Sequence, residues 1–124
     1  NEYTRWGFKQ LIEANAAQVL NADAQVLGGI TEWKKVADLA MSSHVLLAPH
    51  GDQEIHAHLV ASVPNGLIAE YYDNNTNALL KDMFPEPIRL NELGQIMVPQ
   101  APGLGVEIEY ERIRPYCTYS SDDK

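Results

Sequence analysis

The clearest periodic signal in the chain runs from Thr31 to Ser43, where Trp33, Val36, Ala37 and Ala40 recur at i, i+3, i+4 and i+7. That spacing places all four on one face of a helix. Thr31 is placed to act as its N-cap, with Glu32 in the first turn. Trp6, Phe8, Leu11 and Ile12 predict a second helix over Arg5 to Ala14, and Ile55, Leu59 and Val63 a third over Gln53 to Val63. Between them lie short apolar runs of strand length: Gln18 to Ala22, Val45 to Ala48, and Leu67 to Ala69. The run Val45-Leu46-Leu47-Ala48 is apolar throughout, which suits a parallel sheet covered on both faces. Helix and strand thus alternate three times before Tyr72, the order that builds a parallel sheet through right-handed crossovers.

The alternation stops after Tyr72. Asp73-Asn74-Asn75-Thr76-Asn77 is rich in turn formers, and Phe84-Pro85-Glu86-Pro87 cannot sit inside a regular helix. Gln95 to Pro99 is a candidate strand, Pro102-Gly103-Leu104-Gly105-Val106 a fixed loop, and Ser120 to Lys124 a polar tail without a fold signal. Residues 1–72 therefore read as one unit and 73–124 as another. Three strands alone leave unpaired sheet edges, so the first unit reads as an open part of something larger.

Composition narrows the function classes. The 124 residues are 45% apolar and 21% charged, which is globular, and the formal net charge is -8. An acidic chain without clustered Lys and Arg is a poor partner for nucleic acid. No apolar run reaches the roughly 18–20 residues of a membrane span, so no membrane partner is expected. Cys117 is the only cysteine, which excludes an intrachain disulfide and fits a reducing cytoplasm. The opening Asn1-Glu2-Tyr3 lacks an initiating Met, as in a processed or partial chain.

Parallel α/β sheets and barrels carry their chemistry where strands end. Asp23, His50 and Glu70 each close or follow one of the three apolar runs. Any one of them alone is as readily a cap or a loop residue, but three ionisable groups at three strand ends point to a site. Asp52 and Gln53, just past His50, are placed to line the same pocket, and Asp52 equally to start a helix. His44, His56 and His58 have no zinc spacing and read as structural. Gly28-Gly29 lacks the companions of a phosphate loop and reads as close strand-to-helix packing. Trp6 and Trp33 read as packing between helices, and Cys117 as structural.

Four stretches carry a family resemblance. Asp23-Ala24-Gln25-Val26-Leu27-Gly28-Gly29-Ile30-Thr31 resembles the motif ending the sixth barrel strand in relatives of mandelate racemase. Ala48-Pro49-His50-Gly51 with Gln53-Glu54-Ile55 and His58-Leu59 is similar to their seventh-strand motif, and Pro64 to Tyr71 to their eighth. Pro102-Gly103-Leu104-Gly105-Val106-Glu107 is like their Pro-Gly-x-Gly signature. With these motifs in this order from about Tyr3 to Tyr116, the chain resembles the C-terminal part of an enolase-superfamily enzyme of the mandelate racemase/muconate lactonizing type. Tyr3-Thr4-Arg5-Trp6-Gly7-Phe8, Thr31-Glu32 and Pro49-His50-Gly51 are more like the rhamnonate-type acid-sugar dehydratases than the racemase.

The resemblance implies an α/β fold: the last three strands of a (β/α) TIM-like barrel, plus a C-terminal segment that returns to the capping domain. It implies a Mg²⁺-dependent lyase acting on a sugar-acid carboxylate, in which Asp23 and His50 form a His–Asp dyad and Glu70 hydrogen-bonds a substrate carboxylate oxygen. The alternatives are a racemase or epimerase of the same superfamily and a catalytically inert fragment. The metal carboxylates and a second-strand lysine base fall upstream of Asn1. Glu2 is a stand-in for the nearest metal ligand, although Glu2-Tyr3-Thr4-Arg5-Trp6 is more like the segment that follows it. The implied partners are the N-terminal part of the enzyme and, as is common in the family, further copies of itself.

Overall fold

The structure, a computed structural model, describes residues 2–118. The polar tail from Ser120 lies outside the described residues. The chain divides into two compact units, Asn1–Tyr71 and Tyr72–Lys124.

In the first unit, helix α1 spans Arg5–Glu13, strand β1 Val19–Leu20, helix α2 Ile30–Ser42, strand β2 Leu46–Leu47 and helix α3 Gln53–Ala61. The strands pair in parallel, Val19 opposite Leu46 and Leu20 opposite Leu47. The third apolar run adds a single parallel bridge, Leu47 to Gly66, through Leu47 N–H to Asn65 O at 2.9 Å and Leu67 N–H to Leu47 O at 2.8 Å. No longer strand forms at Leu67 to Ala69, and the reason is chemical. The next rung of a parallel ladder would need a donor at residue 49, and Pro49 has no N–H. On the β1 side, the Asn21 side chain donates to Ala48 O at 2.8 Å.

Leu20 and Leu47 are buried, whereas Val19 and Leu46 on the opposite sheet face are exposed. Among the described residues the strands are thus covered on one face, not on both as their apolar sequence suggested. The helices supply that cover. Phe8 and Ile12 of α1 and Trp33, Val36, Ala37 and Ala40 of α2 join Leu20, Leu47, Leu59 and Val63 in one core. Trp33 is fully buried, and its indole N–H donates to Ala22 O at 2.9 Å, fastening α2 to the end of β1.

Three local expectations are corrected. Gly29, not Thr31, occupies the N-cap of α2, with φ of 116°. Gly28 also has positive φ, at 88°, and a side chain at either position would meet open space. The glycine pair is therefore required by backbone conformation and not by close packing. Trp6 is exposed and lies under the Arg5 guanidinium, 4.6 Å from the ring centre, so it is not a helix-packing residue. Arg5 also bonds Glu32 on α2 through Nη1 to Oε1 at 2.9 Å and to Oε2 at 2.7 Å, linking α1 to α2. The Arg5 backbone N–H, then the Arg5 and Lys35 charges, hold the Glu32 carboxyl below its ordinary range.

The second unit holds the short helices α4, Ala78–Met83, and α5, Tyr110–Ile113. Asn77 caps α4 by accepting from Leu79 N–H at 3.0 Å. Glu109 N–H to Met83 O at 2.9 Å and Tyr116 OH to Asp82 Oδ2 at 2.8 Å join the two helices. The strand expected over Gln95 to Pro99 is reduced to one antiparallel bridge, Leu90 to Ile96. The Asn91 side chain closes that turn by accepting from Leu93 and Gln95 N–H. Gly105 has φ of 68° and abuts Pro99, which fixes the Pro-Gly-x-Gly loop. No helix among the described residues is long and apolar enough to cross a membrane.

Trp33→Phe keeps most of the buried volume but strips the Ala22 carbonyl of its donor. Urea unfolding should show a loss of about 1–3 kcal/mol for that variant, and about 3–5 kcal/mol for Trp33→Ala. A Phe variant as stable as the parent would show that the indole bond contributes nothing.

Candidate functional site

The parallel register carries β1, β2 and the Gly66 segment to one sheet edge, and Asp23, His50 and Glu70 follow from them there. His50 Nδ1 stands 3.5 Å from Asp23 Oδ2. That is longer than a made N–H···O bond of about 2.9–3.0 Å. The Asp23 side chain is 12% exposed and that of His50 57%, so the carboxylate is sheltered and the imidazole faces outward. The other Asp23 oxygen, Oδ1, accepts from Gln25 N–H at 2.8 Å, which fixes the carboxylate plane. Glu70 joins them through the backbone: Gly51 N–H, next to His50, donates to Glu70 Oε2 at 2.6 Å.

A cavity of about 270 Å³ opens beside this pair, lined by Glu2, Phe8, Asn21, Asp23, Val26 and His50. The Glu2 carboxylate lies against Gly7, where any side chain would collide with it. Among the described residues, no three His, Cys, Asp or Glu side chains gather closely enough to hold a metal ion. The described residues therefore do not form a complete metal site by themselves.

Asp52 and Gln53 are not among the residues lining that cavity. Asp52 occupies the N-cap of α3 in the left-handed conformation, φ 41° and ψ 60°, and its side chain caps nothing. Gln53 is buried, 1% exposed. The buried side of α3 is more polar than the predicted stripe of Ile55, Leu59 and Val63: Gln53, Glu54 and His56 are all buried, and Ile55 is half-buried. The first turn of α3 meets the loops at the strand ends, where polar backbone groups take the place of apolar neighbours. His56 illustrates this, since its ring nitrogens meet Ala24 N–H and Gly51 O. Sequence reasoning gave it no part in the site. Its place three residues before Leu59 on the same helix face was the available signal.

Residues 1–113 match the family model described as enolase C-terminal domain-like. The chain belongs to this family. Among curated proteins of the family's type, it is 31% identical over 122 residues to an L-rhamnonate dehydratase of Saccharopolyspora erythraea, covering 94% of this chain and 31% of that one. It is 30% identical over 113 residues to a 3,6-anhydro-alpha-L-galactonate cycloisomerase of Streptomyces coelicolor, covering 91% and 30%. The crystal structure of L-talarate dehydratase from Polaromonas sp. JS666, complexed with Mg and L-glucarate, superposes with a TM-score of 0.79 at 33% identity over 91% of this chain and 30% of that one. The chain thus spans just under a third of the length of these enolase-superfamily relatives, which are of the mandelate racemase/muconate lactonizing type and include acid-sugar dehydratases.

Glu54, beside the site in the first turn of α3, is 5% exposed, and its Oε1 has no hydrogen-bond partner. Burial, reinforced by the nearby Asp52 charge, pushes its carboxyl above the ordinary value of 4.5. A carboxyl raised in the folded state binds its proton more tightly there than in the unfolded chain. Stability should therefore fall as pH rises from the unfolded value through the raised folded one, with the whole cost present above both. Glu54→Gln should flatten that decline between pH 4.5 and neutrality. Urea midpoints measured across the interval check this, and parallel profiles for the two proteins would refute it.

Proposed function

We propose that this chain is the C-terminal part of an acid-sugar dehydratase and supplies the acid–base side of its active site. The observation that carries the reading is the approach of Asp23 to His50 at one sheet edge, with Glu70 tied to the adjacent peptide. The dehydratases among its relatives support the same reading. In it, the first unit contributes the last three strands of a (β/α) barrel, and residues 73–124 return to the capping region. The Mg²⁺ carboxylates lie on polypeptide beyond the described residues, and the steps below are those of this chain's own side chains.

In this reading His50 turns Nδ1 toward Asp23 and acts on the substrate through Nε2. A neutral imidazole there removes the proton α to the substrate carboxylate, and the Asp23 carboxylate fixes the tautomer and stabilises the imidazolium that forms. Glu70 hydrogen-bonds a carboxylate oxygen as enediolate charge develops. Return of the proton from His50 to the β-hydroxyl lets it depart as water, which leaves an enol and restores neutral imidazole. Racemisation or epimerisation would instead return a proton to the opposite face, which needs a second base. Cycloisomerisation is the reaction of the Streptomyces coelicolor relative, so product analysis separates these outcomes.

In the polypeptide carrying the complete barrel, His50→Asn should slow exchange of the substrate α-proton with deuterated water by about 10²–10⁴-fold, the usual contribution of a general base. Exchange at the parent rate would remove His50 from this role. The same assay with a panel of sugar acids, followed by detection of the 2-keto-3-deoxy product, tests dehydration itself.

A further inference from the structure

We infer that His56 is a positioning residue, a buried two-armed clamp that sets the spacing of Asp23 and His50. The inference rests on the proposed acid–base roles of those two residues. The His56 side chain is fully buried. Its Nε2 lies 3.0 Å from Ala24 N–H, and its Nδ1 lies 2.7 Å from Gly51 O. Ala24 follows Asp23 and Gly51 follows His50, so one imidazole bridges the two strand-end loops that carry the dyad.

The chemistry of the two partners fixes the tautomer. An amide N–H can only donate, so Nε2 must be bare; a carbonyl can only accept, so Nδ1 must carry the hydrogen. The alternative, an Nε2–H donated to Asp23 Oδ1 at 3.7 Å, would set two hydrogens against each other at Ala24. In the assigned form His56 offers Asp23 no donor, and the Asp23 carboxylate is left to Gln25 N–H and His50. With both ring nitrogens engaged, His56 has no position from which to meet a substrate.

The backbone between the two histidines explains why a clamp is needed. Gly51 and Asp52 are both left-handed, at φ 59° and 41°; glycine adopts this freely, whereas at Asp52 the conformation carries a cost that the surroundings must offset. Gly51 is held from both sides: its N–H by Glu70 and its carbonyl by His56. His50 is the residue immediately before this stretch, so slack in either bond passes directly to the imidazole. A misplacement of about 1 Å can cost a catalytic pair about 10²-fold.

The test uses the full-length enzyme. Nitrogen NMR of the parent should show His56 with a protonated Nδ1 and a bare Nε2; a protonated Nε2 overturns the clamp without any variant. His56→Leu, which removes both arms, should lower kcat by about 10²-fold with KM changed less than about threefold. His56→Asn restores a donor near Nδ1, and His56→Gln an acceptor near Nε2, so each should recover part of the loss. Should the Leu variant fail to fold, the Asn and Gln variants decide alone: a kcat within twofold of the parent in both overturns the inference. A rise in KM with kcat unchanged overturns it as well. If the parent enzyme exchanges no sugar-acid α-proton, the dehydratase reading fails, while the tautomer measurement still decides whether His56 holds the two loops.

Discussion

The pairing of β1 with β2 is the constraint on which the rest of the first unit depends. Val19 faces Leu46 and Leu20 faces Leu47 in parallel, so the two chains leave the sheet at the same edge and in the same direction. A slip of one residue would turn Leu20 or Leu47 out of the core and carry Asp23 and His50 out of step. Burial of Leu20 and Leu47 beneath α1 and α2 therefore holds the register, and through it the spacing of two residues that sit beyond the strands. The hydrophobic core and the candidate site are in this sense consequences of one alignment.

Two-residue strands hold little by themselves, and side chains complete what the ladder does not. Asn21 takes Ala48 O, Trp33 takes Ala22 O, and Asn65 Nδ2 donates to Ala37 O and Val45 O. Each joins a strand or its end to a neighbouring element, in the places where backbone pairing has run out. Buried polar groups of this kind are costly when unmatched and specific when matched. The same device continues into the loops, where Glu70 holds Gly51 N–H and Asp23 holds Gln25 N–H. Candidate chemistry and architecture thus use one set of side-chain-to-backbone bonds.

How far the sequence could be read follows from which forces it displays. Helix α2 was legible because its four periodic positions are all buried, and the strand ends were legible because apolar runs stop abruptly at Asp23 and Pro49. The positions of Asp23, His50 and Glu70 follow from that reading, and the distances between them do not. The start of α2 was misread because a Gly-Gly turn at positive φ does the work assigned to a Thr31 side chain. The third strand was overextended, although Pro49 carried the warning: a residue without an N–H ends the ladder on the neighbouring segment as well as its own. His56 was passed over because an imidazole that bonds only to backbone leaves no mark in sequence spacing. Its partners, Ala24 and Gly51, become its neighbours only once the strands are aligned.

The exposed sheet face carries the final step. Val19, Leu46 and Leu67 are apolar, belong to the paired segments or directly follow them, and are 36% exposed or more. Fully burying such a side chain is worth about 1.5–3 kcal/mol, so covering this face would add to the stability of the strands. In the proposed barrel the same face turns inward, where further strands cover it and bring the metal carboxylates to the edge where His50 stands. Completion of the core and completion of the site would then be one event. In that reading the acid–base pair is held by local bonds within this chain, whereas the metal half would depend on strands that bury what this sheet leaves open. That division predicts a dyad already shaped before the rest of the site is assembled around it, and the clamp at His56 is the part of the chain suited to keep it so.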